Sequence, residues 1–256
     1  MFVGSILGQF LFLVLCCATG KTNIEFLSDE ISHLFFLVHG AVRFANYYQN
    51  HMVLQRAPQR AIVWGYTDSF NAPILLMMNG KIYRTISSSS SIDATNASIW
   101  SVTLDPQPEE GPFDVKVTQP LPNGTHETIT LNDVLFGDVW VCSGQSNMGF
   151  AVNRMFNASI EIENAHKYPK IRLFTVSQTQ AGTPQEEVLH ISLQWSAASN
   201  VTVASGAASA VCWLYGRMIQ EGLGGRPIGL VHSSWGGTDI EYWTPPEVLK
   251  DCGVTR

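Results

Sequence analysis

Two short polar segments of this sequence each follow an apolar run, and both carry residues suited to nucleophilic chemistry. The first is 144–148 (GQSNM), which comes directly after the apolar 139–142 (VWVC). The second is 234–238 (SWGGT), after the apolar 228–231 (IGLV). A serine displayed where a strand ends can attack a substrate, provided that a base removes its proton. Ser146 is therefore the candidate nucleophile.

Backbone N–H groups near such a serine would stabilise the negative oxygen that forms during acyl transfer. We expect Ser146 to stand at the start of a following helix, where N–H groups are free. Gly236 or Gly237 could present a further N–H without a Cβ obstructing the substrate. The same spacing fits a serine that caps a helix and glycines that form turns, so spacing alone leaves both interpretations open.

The two segments meet only if their strands share a sheet. After residue 134, predicted strands (134–142, 171–176 and 228–231) alternate with predicted helices (156–167 and 207–221). This alternation indicates a mostly parallel sheet covered on both faces, with ligands bound at the carboxyl ends of its strands. One apolar stripe of the second helix is expected to face the core: Ala207, Val211, Leu214, Tyr215 and Met218.

The region before this sheet has a different pattern. Residues 42–133 contain short runs of alternating apolar residues separated by turns, which predicts an antiparallel β-sandwich. Asn79-Gly80 between two apolar runs is the strongest hairpin signal. The sequence thus divides into a β-sandwich-like domain over 42–133 and an α/β domain over 134–256.

Composition excludes some functional classes. The 256 residues are 45% hydrophobic, which is ample for a buried core, and the net charge of −6 provides no basic surface for nucleic acid.

Residues 1–20 are typical of a secretory signal peptide, with a signal anchor as the alternative. After its removal we expect no stable membrane span. Four sequons support the secretory pathway, with a lysosomal or secreted destination: Asn96, Asn123, Asn157 and Asn200.

The cysteines do not decide the redox environment. Cys16 and Cys17 fall in the signal peptide, which leaves Cys142, Cys212 and Cys252. Three is an odd number for an oxidising compartment. Cys142 and Cys212 lie in apolar segments and fit small buried hydrophobes, whereas a partner for Cys252 is not evident.

The segment 136–148 (FGDVWVCSGQSNM), followed some ninety residues later by 228–243 (IGLVHSSWGGTDIEYW), resembles the sialate O-acetylesterase family, a branch of the SGNH-type hydrolases. The resemblance runs from about Arg43 to Arg256, and residues 21–41 have no counterpart in it. The lipase-type G-x-S-x-G elbow does not fit, because Met148 stands where its second glycine belongs.

The resemblance implies an N-terminal β domain followed by a three-layer α/β/α catalytic domain. It implies that Ser146 is the nucleophile and that the Gly236-Gly237 loop supplies an oxyanion N–H. Five further residues are expected to bind the substrate or shape its pocket: Gln145, Asn147, Thr238, Glu241 and Trp243. The implied reaction removes O-acetyl groups from sialic acids or sialoglycans through an acetyl-enzyme, with no metal or cofactor.

The sequence departs from the family pattern in one respect. The family's base and its orienting acid lie in a later D-x-x-H block, after a Q-G-E block, and neither block follows here. We therefore expect a C-terminally truncated esterase that is nearly inactive. His232 is the only histidine beside the glycine loop, and packing at a strand end is its favoured role. The alternatives are a non-catalytic glycan-binding fragment, or a chain whose open sheet edge prevents stable folding.

Overall fold

The computed structural model describes residues 42–89, 97–181, 185–244 and 246–253, all within one compact unit, Gly40–Arg256. The predicted signal peptide, the segment 21–41 and the sequon residue Asn96 lie outside these ranges. Among the helices within them, none is both long enough and apolar enough to cross a lipid bilayer.

The described residues form twelve strands and four short α-helices. The strands are β1 Arg43–Phe44, β2 Val53–Gln55, β3 Ile62–Thr67, β4 Pro73–Met78, β5 Lys81–Ile86, β6 Ser88–Ser89, β7 Ser98–Thr103, β8 Phe113–Pro120, β9 His126–Gly144, β10 Ile171–Val176, β11 Ile191–Ala197 and β12 Ile228–Ser234. The helices are α1 Ala158–Asn164, α2 Asn200–Ala204, α3 Ala210–Gly222 and α4 Pro246–Asp251. Single 3-10 turns cover Val152–Arg154, Ala165–Lys167 and Ile240–Trp243.

The first half is the predicted antiparallel β region. A small sheet in the order β1-β3-β7-β6 packs through Val63 and Trp100 against Ile74 and Val117 of the larger sheet. The hairpin predicted at Asn79-Gly80 is confirmed, because Met78 pairs with Lys81 across that turn. Both turn residues have positive φ, as a two-residue hairpin turn requires.

The strand β9 connects the two halves of the chain. Its first part, up to Val134, pairs antiparallel with β8; residues 135–137 pair with β2, and residues 138–144 pair parallel with β12. Asp133, with φ +55°, lies next to the point where the partner changes. The predicted domain boundary between 133 and 134 falls inside this continuous strand, and the domain limits stay a prediction.

The second half contains the predicted parallel strands, in the order β11-β10-β12-β9. Leu173 and Leu230 point to the face covered by α3, whereas Phe174 and Trp195 belong to the core shared with the β half. The predicted mixed α/β class is confirmed. Helical cover on both faces is not found among the described residues, because β2 and its neighbours occupy the second face.

The apolar stripe of α3 that was predicted to face the core does so only in part, because Leu214 packs against the core but most of its neighbours on the stripe do not. Val211, Tyr215 and Met218 are exposed, and Met218 retains 66% of its accessible surface. The buried side is instead Ala210, Cys212, Trp213, Gly216 and Gln220. Gly216 explains this orientation, because a Cβ there would lie 2.7 Å from Leu230 of β12. The helix therefore approaches the sheet through its small residues.

The prediction of a buried strand over 134–142 holds for its first part and for Cys142. Val134, Leu135 and Phe136 are buried, but Val141 is 70% exposed. Residues 138–144 pair with β12 on one side only within the described part of the chain. An unpaired edge leaves one side of these residues open to solvent.

A disulfide joins Cys142 of β9 to Cys212 in the first turn of α3. Both residues are buried, so the expectation of small hydrophobes described their environment but not their bond. Cys252 is free and exposed. The bridge attaches α3 to the strand that leads into Ser146, over a sequence separation of 70 residues.

Removal of this bridge is expected to destabilise the fold. Closing a loop of that length lowers the entropy of the unfolded chain, which corresponds to about 4 kcal/mol in the simplest model. We expect the double change Cys142→Ala and Cys212→Ala to lower the free energy of unfolding in urea by about 2–4 kcal/mol. Cys252→Ser is the matched control and should leave the urea midpoint unchanged. Equal midpoints for all three proteins would contradict the bridge.

A partly buried ion pair links β10 to the residue of β9 at which its pairing partner changes. Arg172 donates to both carboxylate oxygens of Asp133 (2.6 and 3.2 Å), and its side chain is only 8% exposed. His51 Nδ1 lies 2.6 Å from the same carboxylate. Partial burial raises the pKa of Asp133, but hydrogen bonds from Arg172 and His51 outweigh it, so the pKa lies below its ordinary value.

We expect Asp133→Asn to lower the free energy of unfolding by about 1–3 kcal/mol, because it leaves the buried Arg172 guanidinium without a counter-charge. This expected loss of stability is smaller than that for a fully buried ion pair, since 34% of the Asp133 side chain is exposed. Asp105→Asn, in an exposed pair with Lys81, is the control and should cost at most about 0.5 kcal/mol.

The effect of Asp133→Asn should depend on pH. A carboxyl group whose pKa is lower in the folded state stabilises the fold above its unfolded pKa, and this stabilisation is lost as the pH falls through the folded pKa. The difference between the variant and the parent should therefore shrink below roughly pH 4 in urea unfolding. A difference that persisted unchanged at lower pH would contradict the ion-pair explanation.

Candidate active site

The parallel pairing of β9 with β12 brings the two polar segments to the same level of the sheet. Cys142 pairs with His232, and Gly144 pairs with Ser234. The Trp235 N–H then donates to the Gly144 carbonyl oxygen at 2.9 Å. The segments that follow β9 and β12 therefore leave the sheet side by side at its carboxyl edge, as the sequence predicted.

Ser146 lies on a tight turn and is exposed. Gly144, with φ +143°, bends the chain out of the strand in a conformation that side-chain-bearing residues rarely adopt. The Gly149 N–H closes the turn on the Gln145 carbonyl at 3.1 Å. The helix expected directly after Ser146 is not found, because the next helical residues are the 3-10 turn Val152–Arg154.

Ser146 and Gly236 are direct neighbours. A Cβ built on Gly236 would lie 3.7 Å from the Cβ of Ser146 and 3.8 Å from its Cα. The amide N–H groups of both residues make no hydrogen bond to any acceptor in the described ranges. Two free donors beside an exposed hydroxyl are the arrangement that can receive a developing oxyanion. Gly237 follows with φ +76° and turns the chain away.

The other predicted site residues divide into two groups. Thr238 donates to the Trp235 carbonyl at 2.8 Å and accepts from the Trp243 indole at 2.9 Å, so these residues stabilise the glycine loop. Gln145 and Asn147 are exposed on the Ser146 turn, and Glu241 is half-buried in the 3-10 turn Ile240–Trp243. A role in substrate binding stays a prediction for all five residues.

No side chain in the described ranges makes a hydrogen bond with the Ser146 hydroxyl. His232, the histidine beside the glycine loop, has both ring nitrogens engaged. Its Nδ1 lies 3.0 Å from the Ala207 carbonyl, and its Nε2 lies 2.9 Å from Ser234 Oγ. Burial lowers the pKa of His232, although hydrogen bonds to the backbone of Ala207 and Met148 oppose this effect. Packing at the strand end, rather than deprotonation of Ser146, fits this environment.

Sequence reasoning missed three residues that shape the site. Ser234 bonds His232, and Gln178 Nε2 donates to the Ser234 carbonyl at 3.1 Å. Gly149 leaves room for Ser234, because a Cβ there would lie 3.1 Å from Ser234 Oγ. The spacing of His232 and Ser234 was a usable signal, since residues two apart on a strand share one face. Gln178 and Gly149 had no comparable signal.

The described residues contain no cluster of three or more His, Cys, Asp or Glu side chains that could hold a metal ion. An apolar cavity of about 320 Å³ lies elsewhere, between β2 and the second face of the parallel strands. Its walls include Leu54, Phe174 and Trp195, and it contains none of the candidate site residues. We therefore place the site at the loops rather than in this cavity, whose lining includes no Ser, Cys, His, Lys, Asp or Glu side chain.

Known proteins are similar to this chain in sequence and in fold. The family described as carbohydrate esterase, sialic acid-specific acetylesterase, matches residues 136–254. Sialate O-acetylesterase from Homo sapiens is 41% identical over 217 residues, and that from Rattus norvegicus is 42% identical over 215 residues. This chain is a relative of the sialate O-acetylesterases. The matched region covers 84% and 83% of the chain but only 41% and 39% of those relatives.

A solved structure extends this relationship to the fold. A carbohydrate acetylesterase from Xanthomonas citri superposes with a TM-score of 0.70 at 29% identity. The match covers 82% of this chain and 44% of that chain. The resemblance to the sialate O-acetylesterase family that the two motifs indicated is thereby confirmed. Since the chain spans well under half of these relatives, their activity is proposed for it below rather than transferred.

The two glycines of this sialate O-acetylesterase relative should respond differently to the same change. Gly237→Ala is expected to cost about 1 kcal/mol in urea unfolding, because φ +76° strains a residue with a Cβ. Gly236→Ala should cost less than about 0.5 kcal/mol, since its methyl group meets Ser146 at an ordinary contact distance. That methyl group should nevertheless slow the reaction of Ser146 with a fluorophosphonate more than Gly237→Ala does. The reverse order in both measurements would contradict the geometry.

Proposed function

We propose that this chain carries the nucleophile and the oxyanion donors of a carbohydrate esterase that removes O-acetyl groups from sialic acids. The proximity of Gly236 to Ser146 carries this proposal, because it places two free amide N–H groups beside an exposed hydroxyl. The names of the relatives, sialate O-acetylesterases, supply the substrate class, an O-acetylated sialate. Carbohydrate acetylesterase is also the description of the Xanthomonas structure.

The proposed reaction has two acyl-transfer steps. Ser146 Oγ forms a bond to the acetyl carbonyl carbon, and the carbonyl oxygen becomes an oxyanion that the Ser146 and Gly236 amides stabilise. The bond from that carbon to the sugar oxygen then breaks, and the sugar leaves with the proton that the serine lost. Water attacks the acetyl-serine in the same way and releases acetate. Neither step uses a metal or a cofactor.

The base for these steps is the part of the mechanism that the described residues do not supply. The Ser146 hydroxyl has no basic partner in the described ranges, and the imidazole of His232 is occupied. A serine without a base keeps its high intrinsic pKa and attacks slowly. We therefore propose that these 256 residues alone hydrolyse the ester far more slowly than the longer relatives.

The proposal includes an oxidising compartment, lysosomal or extracellular, reached through the secretory pathway. The Cys142–Cys212 disulfide supports this location, because such bonds persist outside the reducing cytosol. Asn123, Asn157 and Asn200 are exposed, so their sequons are accessible to glycosylation. Asn123 lies in the β8–β9 hairpin turn, where its Oδ1 accepts from the Thr125 amide at 3.0 Å.

The test is acetate release from an O-acetylated sialic acid by the purified chain, followed by NMR. We expect slow release that Ser146→Ala abolishes, at a rate at least about 10³-fold below that of a full-length relative, because no described residue serves as a base for Ser146. Ser143→Ala is the matched control, since Ser143 is exposed three residues earlier on β9 and should retain the parent rate. Mass spectrometry should find a fluorophosphonate adduct on Ser146.

Two outcomes would overturn parts of this proposal. Release as fast as that of a full-length relative would show that the chain contains its own base. Absence of both release and Ser146 adduct, with sialic acid binding still detected by saturation-transfer NMR, would favour a non-catalytic glycan-binding protein. A cooperative thermal transition is needed in either case, to show that the open edge of β9 does not prevent folding.

A further inference from the structure

We propose that His232 and Ser234 are positioning residues that hold the turn carrying Ser146 in register with the loop carrying Gly236. The inference rests on the proposed function of Ser146 but uses a different set of contacts. His232 and Ser234 share one face of β12, and this face lies against the Ser146 turn. Neither residue contacts the substrate in this proposal; both act through Ser146 and Gly236.

The imidazole of His232 is fixed by the protein backbone. It is buried, and its Nδ1 faces the Ala207 carbonyl at 3.0 Å. A carbonyl oxygen can only accept, so Nδ1 carries the hydrogen in the neutral ring. Thr175, which pairs with His232 across the sheet, donates to the same carbonyl at 3.0 Å. The second nitrogen, Nε2, is therefore left as an acceptor.

Ser234 transmits this fixed position to the turn. Its hydroxyl lies 2.9 Å from Nε2, and because Nε2 accepts, the Ser234 O–H donates to the ring. Its Oγ is also so close to Gly149 that a Cβ there would approach it to 3.1 Å. Gly149, at the end of the Ser146 turn, therefore packs against the His232–Ser234 pair.

Gly149 and Ser234 each lie close in sequence to one of the two reactive groups. Gly149 follows Ser146 by three residues, and Ser234 precedes Gly236 by two. The Trp235 N–H bond to the Gly144 carbonyl secures the entry to the turn at 2.9 Å. Contacts at its entry and at its end leave Ser146 little freedom to move relative to Gly236. Displacements of about 1 Å at such a site can cost up to a hundredfold in rate.

The first experiment measures the Ser146 turn directly, without any reaction. Hydrogen–deuterium exchange of peptides covering 144–150 is compared in the parent chain, Ser234→Ala and Ser233→Ala. Ser233 is the matched control, because it is the neighbouring serine on the opposite face of β12. We expect exchange to be roughly tenfold faster or more in Ser234→Ala and unchanged in Ser233→Ala. Unchanged exchange in Ser234→Ala would overturn the proposal.

The second experiment reads the state of the ring. In ¹⁵N-histidine-labelled protein at neutral pH, the His232 signals should show hydrogen on Nδ1 and an accepting Nε2, and the Nε2 shift should change in Ser234→Ala. His232→Gln identifies these signals by their loss. Hydrogen found on Nε2 instead would overturn the assigned direction of the Ser234 bond and with it the proposal.

The third experiment separates this proposal from the proposed function. Saturation kinetics of fluorophosphonate labelling at Ser146 should show a maximal rate about tenfold lower in Ser234→Ala, with the half-saturating concentration unchanged and the thermal midpoint within the parent's range. Ser234→Thr, which keeps the hydroxyl, should restore the rate. Equal rates in the parent and Ser234→Ala would refute positioning. An unlabelled parent would refute the reactivity proposed for Ser146, while the exchange experiment would still decide on positioning.

Discussion

The candidate site depends on the parallel register between β9 and β12. Because Gly144 pairs with Ser234, the segments after β9 and β12 leave the sheet at the same level, and Gly236 lies beside Ser146. A slip of one residue would turn each side chain of β12 to the other face of the sheet. His232 and Ser234 would then point away from the Ser146 turn. The chemistry proposed here is therefore set by strand pairing before any catalytic side chain is considered.

Several contacts hold that register from different directions. The Cys142–Cys212 bridge attaches the carboxyl end of β9 to α3, and Gly216 allows the same helix to approach Leu230 of β12. At the other end, Arg172 of β10 binds Asp133 where β9 changes partner. These contacts lie on β9, β12 and β10, the three adjacent strands of the parallel part of the sheet. They support a rigid platform, which is what preorganised oxyanion donors require.

Sequence reasoning found most of this platform, and its errors have physical causes. Apolar runs and turn residues report strands and hairpins well, so β10 and the Asn79-Gly80 hairpin were predicted correctly. The buried face of α3 was predicted wrongly at Val211 and Met218, because periodicity ranks these residues by hydrophobicity and ignores how closely Gly216 can pack. The Cys142–Cys212 pairing and the contact of Gly149 with Ser234 bring distant residues together, and no local pattern encodes them.

His232 is suited to support the Ser146 turn by its fixed position rather than to act as a base. A general base needs a free nitrogen within reach of the serine and a pKa near the working pH. Burial lowers the pKa of His232, and bonds to Ala207 and Ser234 occupy both nitrogens. Each of these features weakens a base, yet each one makes the imidazole a better-fixed support. One buried histidine cannot satisfy both requirements, so in this fold the group that orders the Ser146 turn and the group that deprotonates Ser146 must be different residues.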